Sequence, residues 1–156
     1  MFGQKKITKI CILCKANYCR SPVAEKIIRA NLPNDIFIES AGLIDFFKLS
    51  MDERSKKYLE EKGYIDLDHK TKRINTDLFN HNDLIVAMDL NLVNSLKEKF
   101  PRYSNKIFLL PVLIHSTAIQ DPINFKEEEY FKCMDLLEEA CLKFCEKIGE
   151  NNNVLK

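Results

Sequence analysis

The sequence predicts an α/β fold: a single three-layer domain in which a four-stranded parallel sheet carries helices on both faces. Three observations predict it. Short β-branched runs alternate with helical patterns along the chain, the signature of crossover units. Two of the runs, Leu84–Met88 (LIVAM) and Ile107–Leu110 (IFLL), are continuously apolar, as strands buried on both faces should be. The length of 156 residues suits one domain.

The elements follow in order. Ile7–Leu13 (ITKICIL) reads as the first strand. Ser21 and Pro22 open a helix, with Ser21 as N-cap and Pro22 at the first helical position. Its apolar pairs Val23/Ala24 and Ile27/Ile28 lie four apart, and Pro33 follows its end. Ile36–Ser40 (IFIES) is the second strand. Ser50 and Glu53 form a capping-box pattern for a helix that stops near Gly63. Leu84–Met88 is the third strand, and Asp89 caps a helix that runs to Phe100 and is closed by Pro101. Ile107–Leu110 is the fourth, ended by Pro111. From about Phe125 to Ile148, Phe131, Met134, Leu137, Cys141, Phe144 and Ile148 mark one amphipathic helix. The domain is expected to span residues 1–150, with 151–156 a flexible tail.

Composition narrows the function classes. Lys plus Arg is 24 and Asp plus Glu 23, a net charge of +1, which argues against a dedicated nucleic-acid binder. The charge is unevenly spread: residues 1–30 hold seven basic residues against one acidic (+6), residues 121–156 five against nine (−4). The basic start reads as a solvated face. No apolar run reaches the roughly 18–20 residues of a membrane span. The six cysteines, with no secretory signal pattern, suggest reduced thiols and a cytoplasmic setting.

In folds of this class ligands sit beyond the carboxyl ends of the strands. The segment there that carries chemistry is Cys14-Lys-Ala-Asn-Tyr-Cys-Arg-Ser-Pro22, between the first strand and the first helix. Successive backbone N–H groups and a helix N-terminus make such a loop a concave anion site. Cys14 at its mouth would have its thiolate favoured by the same dipoles and by Arg20, whose planar fork can grip two oxygens of one phosphate. A nucleophile and a clamp on one anion cradle point to covalent phosphoryl transfer without a metal or cofactor. Cys11 and Cys14 formally make C-x-x-C, but Cys11 lies inside the strand and no second pair or spaced histidine set accompanies it. His81 and His115 have no partner pattern, and Cys141 and Cys145 read as core packing on the last helix.

At these residues the chain resembles the low-molecular-weight protein tyrosine phosphatases, whose loop reads approximately C-x-G-N-x-C-R-S-P. The likeness extends in register through Ser40-Ala41-Gly42, His69, Met88-Asp89 and Asp121-Pro122. It implies that Cys14 attacks phosphorus to form a cysteinyl-phosphate while Arg20 and the N–H groups from Lys15 through Ala16, Asn17, Tyr18 and Cys19 hold the equatorial oxygens. Asp121 would protonate the departing phenolate and then act as base on the hydrolytic water. The resemblance also implies that Ser21 donates to the Cys14 thiolate, and that Asn17, braced by Ser40 and His69, holds the loop. Asp89 would position Arg20, and Lys15, Phe46 or Phe47 and Ile123 would line the entrance, though the two phenylalanines fit a core staple equally well. Cys19 would form a reversible disulfide with Cys14 under oxidation. The implied partner is a phosphotyrosine-bearing protein, met by a monomer, with no nucleic acid or membrane involved.

Two departures stand out. Ala16 replaces the loop glycine, adding a methyl group where backbone and phosphate approach closely, so turnover is expected to be slow. Ile123 follows Asp121-Pro122, where eukaryotic members often have a tyrosine. Three rivals share the fold. Thiol-dependent arsenate reductases need two further cysteines around the third strand, and residues 64–110 contain none. Protein-arginine phosphatases carry threonine where this chain has Tyr18. A phosphate-binding pseudophosphatase would be consistent with Ala16 but not with Cys14, Arg20 and Asp121 together.

Overall fold

The computed structural model describes residues 2–47 and 49–154. Four strands, β1 (Lys9–Cys14), β2 (Phe37–Gly42), β3 (Leu84–Ala87) and β4 (Ile107–Leu109), form one sheet in the order β2-β1-β3-β4. Every neighbouring pair is parallel. Between them run α1 (Arg20–Asn31), α2 (Glu53–Glu61), α3 (Thr76–His81) and α4 (Leu90–Lys99), and α5 (Glu127–Val154) closes the chain. Two 3-10 turns, Pro101–Lys106 and Leu110–Ile114, flank β4.

The pleat of β1 divides the core in two. Ile10 and Ile12 point to a layer built with Val23, Ala24 and Ile27 of α1 and Met134, Leu137 and Phe144 of α5. Cys11 and Leu13 point the other way, to Phe79 of α3 and Leu92, Val93 and Leu96 of α4. The fold class is therefore the one the sequence predicts. Because β1 has β2 on one side and β3 on the other, the chain direction across the sheet reverses between β1 and β3. That switch point opens a crevice at the carboxyl ends of those two strands.

Three local expectations are corrected. Helix α1 begins at Arg20 with Cys19 as N-cap and no side-chain cap, so Ser21 and Pro22 lie inside the first turn. Ser21 is drawn from capping by partners in the loop before it. The cap of α2 is Asp52, whose carboxylate accepts from the Arg54 N–H, so the Ser50/Glu53 box does not form. Residues 151–154 continue α5 and are not a flexible tail. Asn152 is buried there and pairs with the main chain just ahead of β1, accepting from the Ile7 N–H at 2.8 Å and donating to its carbonyl at 2.7 Å. Leu155 and Lys156 lie outside the described residues.

The Asp89 cap forms as predicted, accepting from the Leu92 N–H at 2.7 Å. Four of the seven basic residues in 1–30 are paired: Lys5 meets Asp83, Arg20 meets Asp89, and Lys26 and Arg29 meet Glu25. Among the described residues no helix is long and apolar enough to cross a membrane.

Candidate active site

Cys14 ends β1, and the chain turns through Lys15–Cys19 directly into α1. Among the described residues, no hydrogen bond uses the backbone N–H of Lys15, Ala16, Asn17, Tyr18 or Cys19. Five donors in succession, leading into a helix N-terminus, form an anion cradle. The loop is held in shape from below. Gly42, opposite Cys14 in β2, passes so close that a Cβ there would lie 2.8 Å from the Ala16 carbonyl carbon and 2.9 Å from the Asn17 nitrogen.

Asn17 is the left-handed residue of the loop, with φ of 56°, a region its short amide side chain tolerates. Its amide donates to Ser21 Oγ at 2.8 Å and to Ser40 Oγ at 2.9 Å, while its Oδ1 accepts from the Lys72 N–H at 3.1 Å. The Asn17 carbonyl meets His69 Nε2 at 2.8 Å. Each serine that accepts from Asn17 has its own proton free for another partner. Ser40 donates to Glu25 Oε1 at 2.7 Å, and Ser21 stands 3.0 Å from Cys14 Sγ. Burial holds the His69 pKa below its ordinary value despite the bond to Asn17, so the neutral ring donates to that carbonyl.

Arg20 is nearly buried and is anchored from one side. Its Nη1 donates to Asp89 Oδ2 at 3.0 Å and to the Ile119 carbonyl at 2.7 Å. Its Nε is buried without a partner among the described residues, an unspent donor on the face left for a ligand. Burial disfavours the guanidinium charge, but Cys14, Asp121 and Asp89 outweigh it and raise the Arg20 pKa. Asp89 thus joins the site as a partner of Arg20.

Asp121 lies on the segment between the Leu110–Ile114 turn and α5, exposed, with Oδ1 accepting from the Ile123 N–H at 3.2 Å. Around the mouth, the Phe46 ring packs 5.0 Å from Tyr18 on the loop, whereas Phe47 is 89% exposed and Ile123 40%. Lys15 is exposed at the rim. Of the two phenylalanines, Phe46 braces the loop and Phe47 is the one presented to solvent.

Ala16 is not among the residues with positive φ. Its methyl group therefore imposes no left-handed strain on the loop. Cys19 is buried against Tyr130, and burial pushes its thiol up to about 12. Cys11 belongs to the opposite core layer from Cys14, so the formal C-x-x-C does not bring its sulfurs together.

With that geometry in view, the comparison with known proteins is direct. The family model described as "Low molecular weight phosphotyrosine protein phosphatase" matches residues 9–154. The chain belongs to this family. A low molecular weight protein-tyrosine-phosphatase of Acinetobacter johnsonii is 30% identical over 85% of this chain and 92% of its own. The crystal structure of the Erwinia amylovora tyrosine phosphatase AmsI superposes with a TM-score of 0.88 at 26% identity, covering 94% of this chain and 97% of that one. A protein-arginine-phosphatase of Geobacillus stearothermophilus is 26% identical over 90% of this chain and 95% of its own. The phosphatase family therefore includes members named for two different phosphoamino acids.

Some residues of the site carried no signal that sequence reasoning used. Arg54 is one, reaching the Asp121 segment from the start of α2. Ser55 is another, donating to the Cys19 carbonyl at 3.0 Å. A helix cap misassigned by two residues hid both, since it is Asp52 as cap that aims Arg54 across the site.

Proposed function

We propose that this phosphatase hydrolyses phosphotyrosine in proteins, and small aryl phosphates, through a cysteinyl-phosphate on Cys14. The observation that carries the reading is that the buried Arg20 Nε and five successive N–H groups, on the loop that runs from Cys14 into α1, have no partner among the described residues. Such a cradle is complementary to a phosphoryl group whose equatorial oxygens gain charge in the transition state.

In the first step Cys14 Sγ attacks phosphorus and the bond to the phenolic oxygen breaks. Asp121, exposed at the mouth, gives its proton to the departing oxygen. In the second step Asp121 takes a proton from water, the water oxygen bonds to phosphorus, and the thiolate departs. Ser21, whose own acceptor site is filled by Asn17, donates to that thiolate and improves it as a leaving group. Asp89 and the Ile119 carbonyl fix the Arg20 fork. Phe47 and Ile123 flank the entering aryl ring, and Cys19 closes a reversible disulfide with Cys14 on oxidation. We take the protein to act as a cytoplasmic monomer, with residues 1–150 forming the functional domain and α5 extending beyond it.

The test is hydrolysis of an aryl phosphate with chelator present, followed by competition between phosphotyrosine and phosphoarginine peptides. Turnover should survive chelator, vanish in Cys14→Ser, and fall by roughly 10²–10⁴-fold in Asp121→Ala. Preference for phosphoarginine would overturn the substrate assignment, and no turnover by folded, reduced protein would overturn the reaction.

A further inference from the structure

The twelve residues from His115 to Lys126 run between the last 3-10 turn and α5 without helix or strand, and Asp121 sits in their middle. The half before Asp121 is tied to the sheet. The Leu90 N–H donates to Thr117, the Ile119 N–H donates to Met88, and Arg20 holds the Ile119 carbonyl. At the seam, the Cys133 thiol donates to the Gln120 carbonyl at 3.1 Å. The half after Asp121 has a different anchor. Apart from its internal turn and the Tyr130 N–H that donates to the Lys126 carbonyl where α5 begins, its hydrogen bonds to the rest of the protein among the described residues come from Arg54. Nη1 donates to the Phe125 carbonyl at 2.6 Å and Nη2 to the Ile123 carbonyl at 3.0 Å.

Arg54 is itself held on three sides. Its Nε and Nη2 donate to the two oxygens of Asp52 at 2.9 and 2.8 Å, and its guanidinium lies 4.2 Å from the centre of the buried Tyr130 ring. The same short segment grips the phosphate loop: the Asp52 N–H donates to the Tyr18 carbonyl at 3.0 Å, and Ser55 donates to the Cys19 carbonyl. One turn of helix thus touches both the loop that carries the nucleophile and the segment that carries the carboxylate. The planar fork of arginine suits this task, because one rigid group spans a carboxylate and two carbonyls that a single ammonium cannot.

We propose that Arg54, oriented by Asp52, is a positioning residue that sets the reach of Asp121 to the leaving oxygen above the Cys14 loop. This rests on the phosphatase reading, since it needs Asp121 to act as the proton donor. Proton donation matters more as the leaving phenolate becomes more basic. Loosening the Asp121 segment therefore penalises basic phenols selectively, whereas partial unfolding lowers the rate for all of them alike.

The experiment measures kcat/KM for aryl phosphates ranging from nitrophenol to unsubstituted phenol, with wild type, Asp121→Ala, Arg54→Met and Arg54→Lys. Inorganic phosphate serves as competitive inhibitor. Lys57→Met is the control, because its ion pair with Glu127 also joins α2 to α5 without touching the Asp121 segment. In both Arg54 variants phenyl phosphate should lose roughly ten-fold while nitrophenyl phosphate and phosphate inhibition stay within about two-fold, a steepening toward the Asp121→Ala line. Arg54→Lys keeps the positive charge near Asp52 and decides the matter should Arg54→Met fail to fold. Lines parallel to wild type, whether lowered or coincident, would overturn the proposal while leaving the phosphatase reading intact. Coincidence of wild type with Asp121→Ala would overturn both.

Discussion

At Gly42 a hydrogen atom stands where any side chain would meet main chain. The three nearest atoms to a Cβ there, at 2.8, 2.9 and 3.0 Å, are all backbone atoms of Lys15, Ala16 and Asn17, none of which can swing aside as a side chain would. Gly42→Ala should therefore displace the phosphate loop itself, costing about 1–3 kcal/mol of stability and at least ten-fold in phosphate affinity. Chemical denaturation and inhibition by inorganic phosphate measure the two, and unchanged inhibition would contradict the account. Ala16 makes the opposite point. The motif difference there suggested a handicap, yet the left-handed position is Asn17, one residue on. Ala16→Gly should leave kcat/KM within about three-fold and lower stability by about 0.5–1 kcal/mol, through greater freedom of the unfolded chain. A large gain in turnover would show that the methyl group does obstruct the cradle.

At the scale of elements, the existence of each strand was legible and its neighbours' capping was not. The runs ITKICIL, IFIES, LIVAM and IFLL supply all four strands; LIVAM is buried throughout β3, as its continuous apolar character requires, whereas IFLL forms the edge strand β4 and is only half-buried there. Caps went astray where tertiary partners compete for a side chain. Ser21 has the chemistry of an N-cap but is engaged by Asn17 and Cys14, and Ser50 loses α2 to Asp52, which also pairs with Arg54. The Asn151–Asn153 run looked like frayed end by composition alone. No local signal shows that Asn152 pairs with Ile7 just ahead of β1, a contact 145 residues away in sequence. Asn152→Ala should cost about 1–3 kcal/mol by leaving Ile7 unsatisfied, as urea denaturation would report. The chain around His69 has its own pH signature. His69 is held neutral by burial, so its folded pKa lies below the unfolded value near ~6.5. As pH falls the unfolded chain takes up that proton first, so stability is full above about 6.5 and declines as pH drops through and below it. The urea midpoint of wild type should fall relative to His69→Gln between about pH 7.5 and about pH 5.5, and parallel curves would contradict it.

At the scale of the whole molecule, the strand order β2-β1-β3-β4 explains why residues from four separate segments meet. The switch between β1 and β3 opens the crevice, β1 delivers Cys14, α1 delivers Arg20, β2 delivers Ser40 and Gly42, and the loop after β3 delivers Asp89. The loop from Cys14 to Arg20 was legible because its chemistry is contiguous in sequence. Asp121 was legible only through its resemblance, since an Asp-Pro pair by itself is an ordinary turn. Arg54 was not legible at all, because its role lies in two carbonyls about 70 residues away, which no residue type encodes. Covalent catalysis at Cys14 is read out by rapidly quenched intact-mass analysis, under alkaline denaturing conditions that preserve an S–P bond, during turnover of an aryl phosphate. One phosphoryl group should appear on wild type, map to the peptide carrying Cys14, and be missing from Cys14→Ala. Steady release of phenol with no phosphoryl group on the protein at any time point would contradict the account.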